Sequence, residues 1–322
     1  MNTYLHKHFN IKMNKIIEDQ KLQSIIVGIS GGQDSMCLLK LIEDFKKKTK
    51  SYIKIEYIYI DHQWKNDSKY QIKHLINYIK LYKNTISIYQ IQKLVISEIK
   101  ARELRYKIII NHALNYQNSA IITGHTKTDK IETFLQQLIR GTSIDGATSL
   151  IFKRKLNTRI TLFRPLLDIN RSEINWFCRK FYMPIWSDIT NYYYNISRNR
   201  LRYEFIPYLN NYFMFNIENN LNDFLNISNI ENEYIKQNAI KLYIISRHKK
   251  NIALNYKLLK IQHFAIQTRT LQLFFYHNFN KSLNKDMLMK LIFITNKKYN
   301  KAQLLQWNHL IIHIEYQWIY IS

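Results

Sequence analysis

The chain has 322 residues, with 48 Lys and Arg against 23 Asp and Glu, a formal charge of +25. That length holds one large domain and a smaller one. The charge favours a polyanionic partner, nucleic acid first, although Lys, Asn, Ile and Tyr also accumulate by drift in AT-rich genomes, so the arginines weigh more. Two cysteines, Cys37 and Cys178, lie far apart and outside any CxxC, and the eleven histidines show no HExxH. This excludes a disulfide framework, a structural zinc site and an iron–sulfur site built from these residues. His309 and His313 read as packing residues of a strand. No apolar stretch approaches a membrane span. Residues 1–14 have neither a signal-peptide core nor a serine-rich transit composition, so the chain is expected to be soluble and made where it works.

In chain order, the first informative segment joins the apolar run Ile25-Ile26-Val27-Gly28-Ile29 to the amphipathic run Met36-Cys37-Leu38-Leu39-Lys40-Leu41-Ile42. The run reads as a buried strand, its follower as a helix, and Ser30-Gly31-Gly32-Gln33-Asp34-Ser35 as the turn between them. Two glycines let the backbone turn tightly and bare its N–H groups, beside the hydroxyls of Ser30 and Ser35. The first helical turn adds unpaired N–H groups and a positive dipole end, so the turn is an anion nest sized for phosphate. Asp34 would repel phosphate unless a cation lay between them, which implies Mg²⁺ held by Asp34 and phosphate oxygens. A ligand-free βα turn is the plainer alternative. The chain has only six glycines, however, all before residue 150, and half are placed at this turn; a chain so poor in glycine keeps it where nothing else fits. The Walker spacing GxxxxGK[ST] is absent.

Strands are expected at 22–29, 53–60, 85–91 and 120–123, and helices at 34–47, 68–82 and 97–118. This alternation predicts an α/β fold, a doubly wound parallel sheet with helices on both faces. Ligands bind beyond the carboxyl ends of such strands, where Ser30–Ser35, Asp61-His62 and Gly124-His125 all fall. The run from Gly124 continues into a helix on which Asp129 and Glu132, three apart, share a face. They could hold an ammonium group; from spacing alone, a solvated acidic face beside Lys127 and Lys130 is the commoner outcome. A polar stretch at 153–159 precedes a short strand at 161–167 and a helix at about 171–181, with Asn170 and Glu173 spaced as a capping box. Beyond Pro207 there is neither Gly nor Pro. Helical patterns cover about 217–246, 267–279 and 285–294, and a strand-like run closes the chain at 310–320, with Trp307 and Trp318 as packing residues. A linker at 208–216 would then separate a catalytic domain, 1–210, from a smaller, mainly helical domain, 211–322.

The pattern SGGxDS resembles the loop of the N-type ATP pyrophosphatases, which cleave ATP between its α- and β-phosphates to adenylate a substrate. Four further stretches resemble, in order and spacing, the tRNA(Ile)-lysidine synthetases: Ala101-Arg102-Glu103-Leu104-Arg105-Tyr106, the Gly124–Gly141 run, Arg164-Pro165-Leu166-Leu167, then Asp188-Ile189-Thr190-Asn191 with Arg198-Asn199-Arg200-Leu201-Arg202 and Pro207. The resemblance covers about residues 22–210, and more weakly the rest. It implies ATP and Mg²⁺, free lysine, and the isoleucine tRNA with a CAU anticodon, with no membrane and with a homodimer allowed. The cytosine carbonyl oxygen would be adenylated with loss of diphosphate. The lysine amine would then displace AMP to give lysidine, which pairs with adenosine and switches decoding from AUG to AUA.

Carried onto this sequence, the resemblance makes Asp34, Asp129 and Glu132 catalytic, with Asp34 the Mg²⁺ contact through ATP and Asp129 and Glu132 the lysine site. Ser30, Gly31, Gly32, Gln33, Asp34, Ser35, Asp61, His62, Gly124 and His125 would bind ATP. Arg102, Arg105, Arg140, Arg198, Arg200 and Arg202 would meet tRNA. Two places depart from the family: Thr128 stands where a first aspartate is frequent, and Asp61-His62-Gln63-Trp64-Lys65 is looser than His-Gly-x-Arg. Tyr192-Tyr193-Tyr194 could stack on bases, or be a chance run in a tyrosine-rich chain. A tRNA thiolase shares the loop but needs a cysteine pair or cluster to deliver sulfur; a basic RNA-binding protein without catalysis is the third reading. The composition places the protein in the plastid stroma, or alternatively in the cytoplasm of an AT-rich bacterium.

Overall fold

The computed structural model describes residues 3–20, 22–49, 53–61, 68–91, 98–186, 197–213, 216–297 and 302–322. The chain divides into two compact units, Met1–Leu225 and Asn226–Ser322.

The first unit opens on α1 (Tyr4–Gln20), then alternates β1 (Ser24–Ile29), α2 (Gln33–Thr49), β2 (Lys54–Asp61), α3 (Ser68–Lys80), β3 (Thr85–Gln90), α4 (Glu98–Asn115), β4 (Ala120–Thr123) and α5 (Lys127–Ile139). It continues through α6 (Ile144–Ala147), β5 (Lys153–Lys155), β6 (Thr161–Phe163), α7 (Arg171–Lys180), α8 (Ser197–Arg200), a π-helical turn at Leu201–Phe205, α9 (Ile206–Tyr212) and the start of α10 (Ile217–Ser246). The six strands lie in the order β3-β2-β1-β4-β6-β5, all parallel except β5, which runs against β6. Alternate residues of β1 face opposite sides, as strand geometry requires. Ile25, Val27 and Ile29 pack with residues of α1, α2, α3 and α7, whereas Ile26 packs with Ile109 and Ala113 of α4. Helices therefore cover both faces, and the expected doubly wound sheet is present.

Three features differ from expectation. The N-terminal segment, for which no element was expected, forms α1 (Tyr4–Gln20), which buries Leu5, Phe9, Met13 and Ile16 in the main core. The polar stretch at 153–159 contributes an edge strand, β5, all three of whose residues are exposed. The expected linker at 208–216 is helical over much of its length, as α9 runs to Tyr212. The expected boundary at 210/211 falls within α9, and the division between units falls within α10.

The second unit holds the rest of α10, then β7 (Ala253–Asn255), α11 (Tyr256–Lys260), α12 (Phe264–Phe279), α13 (Lys285–Asn296), β8 (Gln303–Trp307), β9 (Leu310–Glu315) and β10 (Trp318–Ile321). It is helical as expected but carries an antiparallel sheet ordered β7-β10-β9-β8. The single closing run expected at 310–320 is two strands, because Tyr316 takes a left-handed conformation (φ +53°) and turns the chain between them. Trp307 is buried against Phe275 and Phe279, with ring centroids 4.8 and 5.5 Å apart. His313 stacks on Tyr320 at 4.7 Å, a packing role as expected, whereas His309 lies exposed in the turn between β8 and β9 and is not a packing residue of a strand.

Candidate active site

The turn after β1 is fixed from beneath. Gly31 has φ +75°, and a Cβ there would lie 2.8 Å from Nε2 of Gln71 on α3, so neither backbone nor space admits a side chain. Gln71 donates to the Ser30 carbonyl at 2.6 Å. Ser35 Oγ donates to the Gly32 carbonyl at 2.8 Å and accepts the Ser30 N–H at 3.2 Å, with Ser30 Oγ also 3.2 Å away. Gln33 hydrogen-bonds Asn175 of α7, and the Gly31 carbonyl accepts from the Trp186 backbone at 3.1 Å. Gln71 was not foreseen, yet it carried a signal: it stands on the buried stripe of α3 with Leu75 and Ile79.

Asp34 begins α2, and its Oδ1 is buried without a hydrogen-bond partner. Burial first, then the Asp129 charge, push its carboxyl up to about 6, against the pull of Arg171 and Arg202. A carboxylate so placed gains by meeting a cation. Among the described residues no three His, Cys, Asp or Glu side chains gather as a metal cage.

Gly124 follows β4 and packs on the α2 N-terminus, where a Cβ would stand 3.1 Å from the Asp34 carbonyl oxygen. The two glycine-bearing motifs thus form one site. His125 is linked to Thr123 Oγ1 at 2.9 Å, and burial, opposed by Asp129, holds its imidazole down to about 3. It is neutral at physiological pH. Asp61 is buried at the end of β2. His62, Asp188–Asn191 and Tyr192–Tyr194 lie outside the described residues.

Asp129 and Glu132 are not a solvated face. Asp129 Oδ2 accepts the Thr126 N–H at 2.8 Å as half of a capping box that starts α5, and Glu132 is fully buried. Their other oxygens meet arginines. Arg198 reaches Glu132 Oε2 (2.6 Å) and Asp129 Oδ1 (2.7 Å), while Arg202 Nη2 reaches Glu132 Oε2 (2.9 Å). Burial works to raise the Asp129 carboxyl, but Arg198 and the Thr126 N–H outweigh it and hold it below the usual carboxylate range. Lys127 and Lys130 turn away to Asn219 and Asn222 of α10. The Thr128 hydroxyl is buried and unpartnered.

The six expected tRNA contacts divide. Arg105, Arg140 and Arg200 are exposed, and Arg102 lies over the Tyr106 ring at 5.2 Å. Arg198 and Arg202 face the acid pair, an arrangement no local spacing announces. Cys37 and Cys178, far apart in sequence, are neighbours in the core, both buried and reduced, which does not suit delivery of sulfur.

A glycine-bearing turn at the carboxyl edge of a doubly wound sheet, with a buried acid pair beside it, is the arrangement of the PP-loop class of ATP-using α/β enzymes. A family model described as a PP-loop domain matches residues 5–209. The fold is similar to the U34-tRNA thiolase NcsA from Methanococcus maripaludis with its [4Fe-4S] cluster, at a TM-score of 0.55 and 14% identity over 70% of this chain and 80% of that one. The chain is 51% identical to the chloroplastic tRNA(Ile)-lysidine synthase of Gracilaria tenuistipitata var. liui, over 99% of both chains. It is 35% identical to that of Pyropia yezoensis, over 100% of this chain and 96% of that one. The chain belongs to the tRNA(Ile)-lysidine synthase family.

Proposed function

We propose that this chain forms lysidine on the wobble cytidine of isoleucine tRNA with a CAU anticodon, using ATP and free lysine, in the plastid stroma. The observation that carries the reading is the contact of Gly124 with Asp34, because it sets the phosphate turn and the acid-bearing helix α5 side by side. Two half-reactions then share one pocket.

For adenylation, Ser30, Gly31, Gly32, Gln33 and Ser35 bind the diphosphate end of ATP, with backbone N–H groups meeting charge as it develops on the leaving group. Asp34, its Oδ1 unpartnered, would hold Mg²⁺. When bound, that ion neutralises phosphate charge and so favours diphosphate departure. Neutral His125, Gly124, Asp61 and His62 contribute to the nucleotide pocket. For the second half-reaction, Asp129 and Glu132 hold the lysine side chain as a cation. The ammonium gives one proton to solvent, its nitrogen attacks the activated cytosine carbon, the bond from that carbon to the AMP-bearing oxygen breaks as AMP leaves, and the nitrogen sheds a second proton to solvent. Exposed Arg105, Arg140 and Arg200, with Arg102, meet RNA phosphates.

Nucleoside mass spectrometry of unmodified tRNA after incubation with protein, ATP and lysine tests the reading. Lysidine is expected only when all three are present; its absence from folded protein would refute the assignment.

A further inference from the structure

We propose that Arg198 and Arg202 are cationic placeholders in the lysine site and that RNA draws them off, making lysine and tRNA binding cooperative. This rests on the reading of Asp129 and Glu132 as the lysine site. All four carboxylate oxygens of the pair already accept a hydrogen bond. Glu132 Oε2 takes Arg198 Nε and Arg202 Nη2, Glu132 Oε1 takes Arg202 Nε, Asp129 Oδ1 takes Arg198 Nη2, and Asp129 Oδ2 caps α5.

Charge decides the consequence. Two carboxylates face two guanidiniums, so the cluster is neutral. An ammonium entering it would make three cations against two anions in a place where Glu132 has no contact with water. If one guanidinium leaves for a phosphodiester, which it can grip in bidentate fashion, a carboxylate is left short of a cation. Lysine restores neutrality. RNA thereby makes the vacancy that lysine fills, and lysine blocks the arginine's return.

The parts able to move are on the arginine side. Glu132 sits in the buried stretch of α5, whereas Arg198 and Arg202 come from α8 and the π-helical turn, on long stems. Between them Arg200 already points to solvent, paired only with Glu204 among the ion pairs of the described residues, so the same segment presents a cation outward. A π-helical turn is a frequent device where a helix serves function.

The test is equilibrium dialysis of radiolabelled lysine with the full-length protein, with and without unmodified CAU-anticodon tRNA and without ATP, so that nothing turns over. In the wild type, saturating tRNA should tighten lysine binding by about tenfold or more, and lysine should tighten tRNA binding by the same factor. Arg202→Gln and Arg198→Gln should each bind lysine more tightly than wild type without tRNA, and coupling in at least one should fall below about threefold. Arg202→Lys, which keeps a displaceable cation, should retain coupling. Unchanged lysine affinity on adding tRNA to the wild type, or full coupling in both Gln variants, would overturn the proposal. The wild-type measurement decides the matter even if a variant fails to fold. Lysidine formation without coupling would sink the exchange alone; no lysidine from folded protein would sink the underlying reading instead.

Discussion

Gly124 and Asp34 touch so closely that a Cβ on Gly124 would lie 3.1 Å from the Asp34 carbonyl oxygen and 3.2 Å from its carbon. Both neighbours are backbone and cannot rotate aside, so a methyl group there displaces the first turn of α2. Gly124→Ala should therefore misplace the phosphate turn by a few tenths of an ångström. We expect kcat/KM for ATP to fall by on the order of tenfold, with tRNA affinity little changed. Steady-state kinetics and a tRNA filter-binding assay check this, and an unaltered kcat/KM would mean the contact does not set the turn.

Asp34→Ala should abolish lysidine formation and leave tRNA binding largely intact, since the carboxylate acts on ATP. The isosteric Asp34→Asn gives a second reading. In the ligand-free fold, burial and then Asp129 raise the Asp34 carboxyl from 3.8 to about 6. The folded state therefore holds its proton more tightly than the unfolded chain. That contribution to stability is full below pH 3.8 and is lost as pH rises through 6. At pH 8 the ionised form costs up to about 3 kcal/mol, which the neutral amide avoids. Melting curves without ligand should show Asp34→Asn raising Tm by several degrees at pH 8, with the gain fading toward pH 4. Activity of the wild type should fall as pH drops through about 6, and excess Mg²⁺ should move that midpoint lower.

The tight turn between β1 and α2 was legible because it is local: six consecutive residues and their glycines state it in a glycine-poor chain. Glycine scarcity was a sound guide at Gly31 and Gly124 but not everywhere. Gly28 lies within β1, where a Cβ would find ordinary contact distances, whereas Gly141, although it faces open space, sits at φ +76°, where an L side chain is strained. Helix α1 was readable too, since Leu5, Phe9, Met13 and Ile16 repeat at helical spacing. Its stripe is one residue wide amid His, Lys and Asn, and passes as a polar leader. The C-terminal sheet was hidden because its hairpins turn at Asn308 and Tyr316, both at positive φ, where glycine would have marked them. The pairing of Arg198 with Glu132 spans 66 residues and has no period at all. Only the fold brings these charges together.

Glu132→Gln should chiefly raise the lysine requirement while the adenylated tRNA intermediate still forms. The buried pairing adds a consequence. The Gln side chain offers Arg198 and Arg202 one acceptor and no charge, leaving partly buried cations short of a partner, a defect of up to about 3–5 kcal/mol. Thermal stability should drop as well, so the assay belongs well below the new Tm. Acid-gel analysis of tRNA labelled from α-³²P-ATP would show the intermediate. Its loss, with ATP binding retained, would move Glu132 to the adenylation step.

Removing the C-terminal part should cost tRNA affinity more than ATP binding, but the cut matters. Leu221 and Leu225 of α10 pack with Ile131, Phe134, Leu135, Leu201 and Ile206, the cluster beneath the acid-bearing helix. A chain ending at Asn210 loses both leucines, each worth roughly 1.5–3 kcal/mol when fully buried, and should be unstable for that reason alone. A chain ending at Leu225 keeps them. The removed residues 226–322 carry fourteen Lys and Arg against four Asp and Glu, and none of the site residues. Each phosphate contact they make adds to the slope of log affinity against log salt. The 225-residue chain should therefore melt cooperatively, bind ATP like the full chain, and show a shallower salt dependence for tRNA with weaker binding at low salt. If it folds and keeps both the affinity and the slope, the second unit does not bind tRNA and serves the fold of the protein alone.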